Sequence, residues 1–190
     1  FEKRNLGELL NKLEARLYYN YADHVMDNFG LRSPDPNGSM PMAMASNVDR
    51  ATWGGRLAST WILSEHLVLV GGLGFQQSSH RARSGNAMNP FQGRPWKKDA
   101  EFGNTGLFGE LSWHLADDRR VIGGARVDRA TVKDLRADDG AMMMPKPNPT
   151  AGERREETLP SGFLRYERDL ASLPATWYVG LGHVQRMPDY

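Results

Sequence analysis

Residues 13–28 read LEARLYYNYADHVMDN, and the reading of this stretch decides the fold. Successive side chains of an extended strand point to opposite faces. Leu13, Ala15, Leu17, Tyr19 and Tyr21 therefore share one face, and Glu14, Arg16, Tyr18, Asn20, Ala22, His24 and Met26 share the other. The stretch predicts a strand that is greasy on one side and polar on the other. His24 and Met26 fall on the polar side, next-but-one neighbours aimed the same way. An imidazole beside a thioether suits a soft late transition metal, above all copper(I), far better than Mg²⁺ or Ca²⁺, which prefer oxygen. Such a pair can equally be two ordinary wall side chains. Its setting favours the metal reading, because the loop that follows repeats the spacing at Met40, Met42 and Met44.

Further along the chain the same two-residue period recurs. In TWGGRLASTWIL, residues 52–63, Trp53, Gly55, Leu57, Ser59, Trp61 and Leu63 oppose Arg56, Ala58 and Thr60. Residues 67–83 start apolar and turn polar, as a strand protruding from a membrane into water would. In residues 104–115, Leu107, Leu111, Trp113 and Leu115 oppose Glu110, Ser112 and His114. Residues 120–134, 156–168 and 174–186 complete a set of about seven strands, with Pro160 a weak point in the sixth. Residues 1–12 are expected to turn at Asn5 to Gly7 and lead into the first long strand.

The connections alternate in length. Long polar loops are expected near residues 30–45, 84–103 and 135–155, and tight turns at 64–66, 116–119 and 169–173. Short turns on one side and long loops on the other are the pattern of outer-membrane barrels. Trp61, Trp113 and Trp177 lie on the apolar phase, each close to a short turn. An antiparallel sheet sets them at one level, as in the aromatic belt of a membrane interface. A soluble barrel that turns its apolar face inward around a small ligand has no need to align them.

Composition agrees. The 190 residues include 20 glycines and 5 tryptophans but only 39% apolar residues, and no run is long and apolar enough for a transmembrane helix. A barrel strand is only half apolar and escapes that test. A net charge of +1 with no basic stripe argues against nucleic acid. With no cysteine, this stretch has no disulfides, zinc–thiolate sites or thiol catalysis. Nothing assembles a nucleophile, a base and an oxyanion site, so no enzyme is expected.

YYNYADHVMDN at 18–28, MPMAMAS at 40–46, DRATWGGRLASTW at 49–61 and GLGHVQRMPDY at 180–190 together resemble the TonB-dependent outer-membrane receptors, and more closely their copper-receptor branch. The resemblance spans the whole chain. It implies an all-β, antiparallel up-and-down transmembrane β-barrel, of which residues 1–190 are one segment. The plug domain and the TonB-interacting part would lie elsewhere in a longer protein of the Gram-negative outer membrane. The implied partners are outer-membrane lipid, the rest of the barrel, the plug and the TonB complex. The implied function is copper import, with His24 and Met26 as barrel-side ligands and Met40, Met42 and Met44 as a thioether path towards them. The remaining ligands would come from the plug. A siderophore or other metal-chelate receptor of the same architecture is the nearest alternative.

The other histidines and methionines attract weaker readings. His66 follows a turn, and His80 and His114 read as wall residues. His183 lies in the lipid-facing phase, where Gly180 or Gly182 could shift the register. Met142, Met143 and Met144 are consecutive and cannot share a strand face.

Overall fold

The alternation seen in the sequence becomes one sheet. The structure is a computed structural model that describes residues 1–138 and 144–187. Eight strands run in chain order and each pairs antiparallel with the next: β1 (Glu2–Arg4), β2 (Leu10–Asp27), β3 (Met44–Ser64), β4 (Leu67–Asn86), β5 (Lys97–Ala116), β6 (Arg119–Asp134), β7 (Arg154–Asp169) and β8 (Thr176–His183). The strand beyond the expected seven is β1, a three-residue piece paired with Lys12–Glu14 after a turn where Asn5 takes a positive φ of 55°. Among the described residues the sheet does not close on itself, and no helix is long and apolar enough to cross a membrane.

Strand length is the main departure from the sequence reading. Residues 84–103 are expected to be a loop, yet β4 runs to Asn86 and β5 begins at Lys97. The polar stretch 97–103 lacks an apolar face, so period-two reading is blind to it; it is strand because its backbone pairs with β4 and β6. A bulge between His80 and Arg81 takes up Asp99. Pro160 is accommodated within β7, directly opposite Val127. The register expected to slip at Gly180 or Gly182 does not: Gly180, Gly182 and His183 face Arg165, Phe163 and Gly162 in unbroken order.

One face carries the tryptophans. Leu17, Tyr19, Trp53, Leu57, Leu73, Leu107, Trp113, Val127, Leu164, Val179 and Leu181 all lie on it and are all exposed, Leu17 and Leu181 by more than four-fifths. Trp61, Trp113 and Trp177 stand on this face near the short turns, and Trp177 leans on Tyr166 at 5.4 Å between ring centroids. Towards the long loops, Tyr19, Trp53 and Phe75 form a second aromatic row, with Trp53 edge-on to Phe75 at 5.3 Å. Along β3 the two rows are residues 53 and 61, about 26 Å of strand at ~3.3 Å per residue. A tilted strand of that length spans the apolar band of a membrane barrel. An exposed apolar surface this continuous is a solvation problem in water and none in hydrocarbon.

The opposite face is polar and tightly paired. Arg126 binds Asp128 through two nitrogens at 2.5 and 2.6 Å, Glu167 accepts from Arg120 at 2.6 Å and forms an ion pair with Arg165, and Lys12 meets Glu14 at 2.8 Å. Aromatic rings lie across glycines here. A Cβ at Gly54 would come within 2.5 Å of the Tyr18 hydroxyl and 2.6 Å of the Phe75 carbonyl oxygen, so only glycine lets Tyr18 cross β3 to reach Gln76 on β4 at 3.1 Å. Phe108 crosses Gly72 in the same way, and Arg56 stacks on the ring at 4.5 Å.

Beyond the aromatic rows, β3 to β7 continue as a water-facing extension. At its edge, Asp134 gathers the base of the loop after β6: Arg136, Asn148 and Thr150 all donate to its carboxylate. The Arg136 guanidinium is the main reason that this carboxyl sits well below the usual carboxylate range.

An arginine placed in the apolar band tests this division. In the full-length protein, Leu57→Arg is expected to cost the barrel about 2–4 kcal/mol, whereas Asn20→Arg on the other face should cost little. Unfolding titrations in lipid vesicles that found the two equal would refute the assignment of faces.

Candidate metal-ligand face and family membership

The placement of His24 and Met26 rests on the ladder between β2 and β3. From Lys12 opposite Thr60 to Asp27 opposite Ala45 the pairing runs without a shift, and its one irregularity lies at Leu10/Lys12. His24 stands opposite Val48 and Met26 opposite Ser46. An unbroken ladder keeps alternate residues on one face. Both side chains therefore project from the polar face, the one on which Tyr18 reaches Gln76 and the Thr52 and Ser78 hydroxyls meet at 2.7 Å. Both are exposed, Met26 by half.

The methionine loop is tied to the same strand end. Met44 opens β3 two places before Ser46, so it shares the face of Met26 as a diagonal neighbour, at a typical backbone spacing of about 7–8 Å. Met40 and Met42 lie in the preceding loop and are more than half exposed. Asn28, two residues past Met26, clamps all three. Its amide nitrogen Nδ2 donates to the Met42 carbonyl at 3.0 Å and the Met40 carbonyl at 3.4 Å, and its Oδ1 accepts from the Met44 N–H at 2.8 Å. The Asn28 N–H in turn donates to the Met44 carbonyl at 3.2 Å. Sequence reading misses Asn28, because an asparagine after a strand signals only a turn.

Met88 is missed as well. It is isolated in the loop between β4 and β5 and shows no spacing signal. The structure carries that loop to the methionine loop, where the Ala87 N–H donates to the Ala43 carbonyl at 3.1 Å, and leaves Met88 about four-fifths exposed. Met142 and Met143 lie outside the described residues; Met144 is exposed.

The remaining histidines stay apart from this cluster. The His80 ring meets Asp99, and His114 stands opposite Arg120 on the polar face. His66 sits in the tight turn between β3 and β4, where its carbonyl accepts from the His114 N–H at 2.8 Å. Among the described residues no three of His, Cys, Asp or Glu gather as a metal cluster. The donor set that β2 offers is thus one imidazole nitrogen and one thioether sulfur, with further thioethers nearby: soft, neutral and incomplete.

The model of the family described as TonB dependent receptor-like, beta-barrel matches residues 2–190. The chain belongs to the TonB-dependent receptors. Their barrels span the outer membrane of Gram-negative bacteria, so the tryptophan face is the lipid side and the polar face the lumen. The family consists of transporters. No curated protein matches the chain. Among solved structures, one titled "Copper transporter OprC" is 52% identical, superposes with a TM-score of 0.89 and covers 100% of this chain. This chain spans 30% of that one.

The Asn28 clamp has a measurable consequence. Asn28→Ala in the full-length receptor is expected to speed hydrogen exchange at the Met44 amide by roughly tenfold or more, the loss of one hydrogen bond of about 1.5 kcal/mol. Unchanged exchange at Met44 would show that the loop is held some other way.

Proposed function

We propose that this chain is a barrel segment of an outer-membrane receptor that binds and imports copper, with His24 and Met26 as lumen-side ligands. The observation that carries the reading is their common projection from the lumen face, in unbroken register, beneath a methionine loop clamped to the same strand end. The similarity to a protein titled copper transporter supports it.

The chemistry favours Cu(I). Thioethers bind zinc poorly and Mg²⁺ or Ca²⁺ hardly at all, while imidazole and thioether together match a soft monovalent ion that accepts low coordination numbers. Copper arriving from outside meets Met88, Met40 and Met42 on exposed loops, then Met44 and Met26 on the wall. Each thioether is a weak neutral donor. An ion can step from one to the next without being trapped, and the imidazole at position 24 supplies the stronger bond. Two ligands hold copper weakly. The others, and closure of the site, would come from the plug domain, with energy delivered through the TonB complex.

A metal-chelate receptor is the second reading. It would use the same architecture but need hydrogen-bond donors and aromatic surfaces for an organic ligand, leaving the methionine spacing unexplained.

Copper content of the purified full-length receptor tests the assignment. His24→Ala and Met26→Ala are each expected to lower bound copper at least tenfold while the barrel keeps its heat-resistant migration in gels. Wild-type copper content in both variants would overturn the ligand assignment, and an organic iron chelate found bound instead would favour the second reading.

A further inference from the structure

The lumen wall repeats one device on β3 and β5. Register puts Arg50 and Arg56 on the polar face, opposite Ala22 and Arg16 of β2. Each guanidinium reaches across β4 to a phenylalanine of β5, Arg50 to Phe102 at 5.1 Å and Arg56 to Phe108 at 4.5 Å from the ring centroid. Phe102 stands opposite Ser78 and Phe108 opposite Gly72. The second unit is therefore the first moved along the sheet by about 20 Å, at ~3.3 Å per residue.

On the same face Arg16, Arg120, Arg126, Arg155 and Arg165 each hold a carboxylate, whereas among the described residues no ion pair reaches Arg50 or Arg56. The carboxylates around them are engaged. Glu14, diagonal to Arg56, is shared by Lys12 at 2.8 Å and Arg16 at 3.4 Å, and Asp128 is held by Arg126. His80, directly across from Arg50, holds Asp99. Arg56 also faces Arg16 directly, a like-charge pairing that an added anion would relieve.

The rings fix these two cations without neutralising them. Stacking takes one flat face of a guanidinium and leaves its N–H edge free, and that edge matches a carboxylate through two parallel hydrogen bonds. Both side chains are exposed. A copper ion is repelled by such a group, so neither arginine is a contact for the cargo.

We propose that Arg50 and Arg56 are two sockets for carboxylate side chains of the plug domain, a part of the receptor outside residues 1–190. The chain spans 30% of the copper transporter that it matches, so most of a receptor of that length lies outside this sheet. Arg56, between the levels of Trp53 and Trp61 on β3, holds the plug at mid-membrane depth. Arg50 stands beside the copper ligands: it pairs with Ala22, and His24 follows two places on along the same face. A carboxylate seated there brings the plug against the strand end that carries His24 and Met26. Arg50 is thus a positioning residue for the plug's share of the metal site, a step that rests on the copper reading above.

Carboxyl footprinting of the purified full-length receptor tests the sockets. Carbodiimide couples glycine ethyl ester to accessible Asp and Glu side chains, and mass spectrometry of peptides reads the rate at each, with exposed Asp35 as the internal reference. In wild type, a plug carboxylate at each socket should react roughly tenfold or more slowly than Asp35. Arg50→Met and Arg56→Met keep the apolar stem on the ring and remove the charge. Each should deprotect a different plug carboxylate by roughly tenfold or more, while Arg50→Lys and Arg56→Lys keep most of the protection. Arg50→Met should also lower bound copper at least fivefold, and Arg56→Met should leave it unchanged. Heat-resistant gel migration verifies folding, and Arg50→Gln or Arg56→Gln replaces a methionine variant that does not fold. Plug carboxylates that all react as fast as Asp35, or unchanged labelling in the folded variants, would overturn the docking. Deprotection with unchanged copper in Arg50→Met would overturn the positioning role. A wild type that binds no copper would refute the functional reading, and the labelling would still decide the docking.

Discussion

The structure depends on one constraint, the unbroken alternation of β2 against β3. Hydrocarbon offers no partner to a backbone amide, so a membrane strand must spend every N–H and C=O on its neighbours, and a slip of one residue would put every side chain on the wrong side. From Lys12 to Asp27 no slip occurs. That single fact sends Leu17, Tyr19 and Trp53 to lipid and His24, Met26 and Met44 to the lumen. It also explains why the best-buried side chains are small or charged: Ala58, Ser78 and Asp128 pack on the polar face, while the large apolar residues are exposed. In a soluble domain that order is reversed.

Much of this was legible in the sequence, for a physical reason. A period of two is local, and residues 13–28 and 52–63 state it without help from the rest of the chain. The tight turns were legible as well, because Ser64 to His66 and Ala116 to Arg119 leave no room for anything else. The water-facing extensions were not. Residues 97–103 carry no apolar face, and only cross-strand pairing to β4 and β6 makes them strand. β1 was hidden for a similar reason: three charged residues have no periodicity. At the candidate site, the His-x-Met spacing was visible, but Asn28 and Met88 gain their roles only through contacts with the distant Met40 to Met44 loop, which no local pattern encodes.

The two faces call for different chemistry from the same strands. The lumen face is a set of closed ion pairs, Arg126 with Asp128 and Glu167 with Arg120 and Arg165, which stiffen the wall and leave few free charges. Soft neutral donors stand out against that background at one corner of it, the loop end of β2. Beyond the aromatic rows, the other face turns from apolar to charged, and Arg81, Lys98 and Arg154 pair there with Asp49, Glu101 and Glu156. The edges at β1 and β8 leave backbone groups for neighbouring strands to pair with, which is how a segment of a larger barrel is completed.

The central claim is which side of the sheet is wet, and thiol labelling in the intact membrane reads it directly. This stretch has no cysteine. In full-length receptor with any cysteines elsewhere replaced, His24→Cys and Met26→Cys should both react with a small membrane-impermeant maleimide, and Leu57→Cys and Leu107→Cys should both resist it. Labelling of the leucine positions with protection at 24 and 26, or reaction at only one of 24 and 26, would contradict the account.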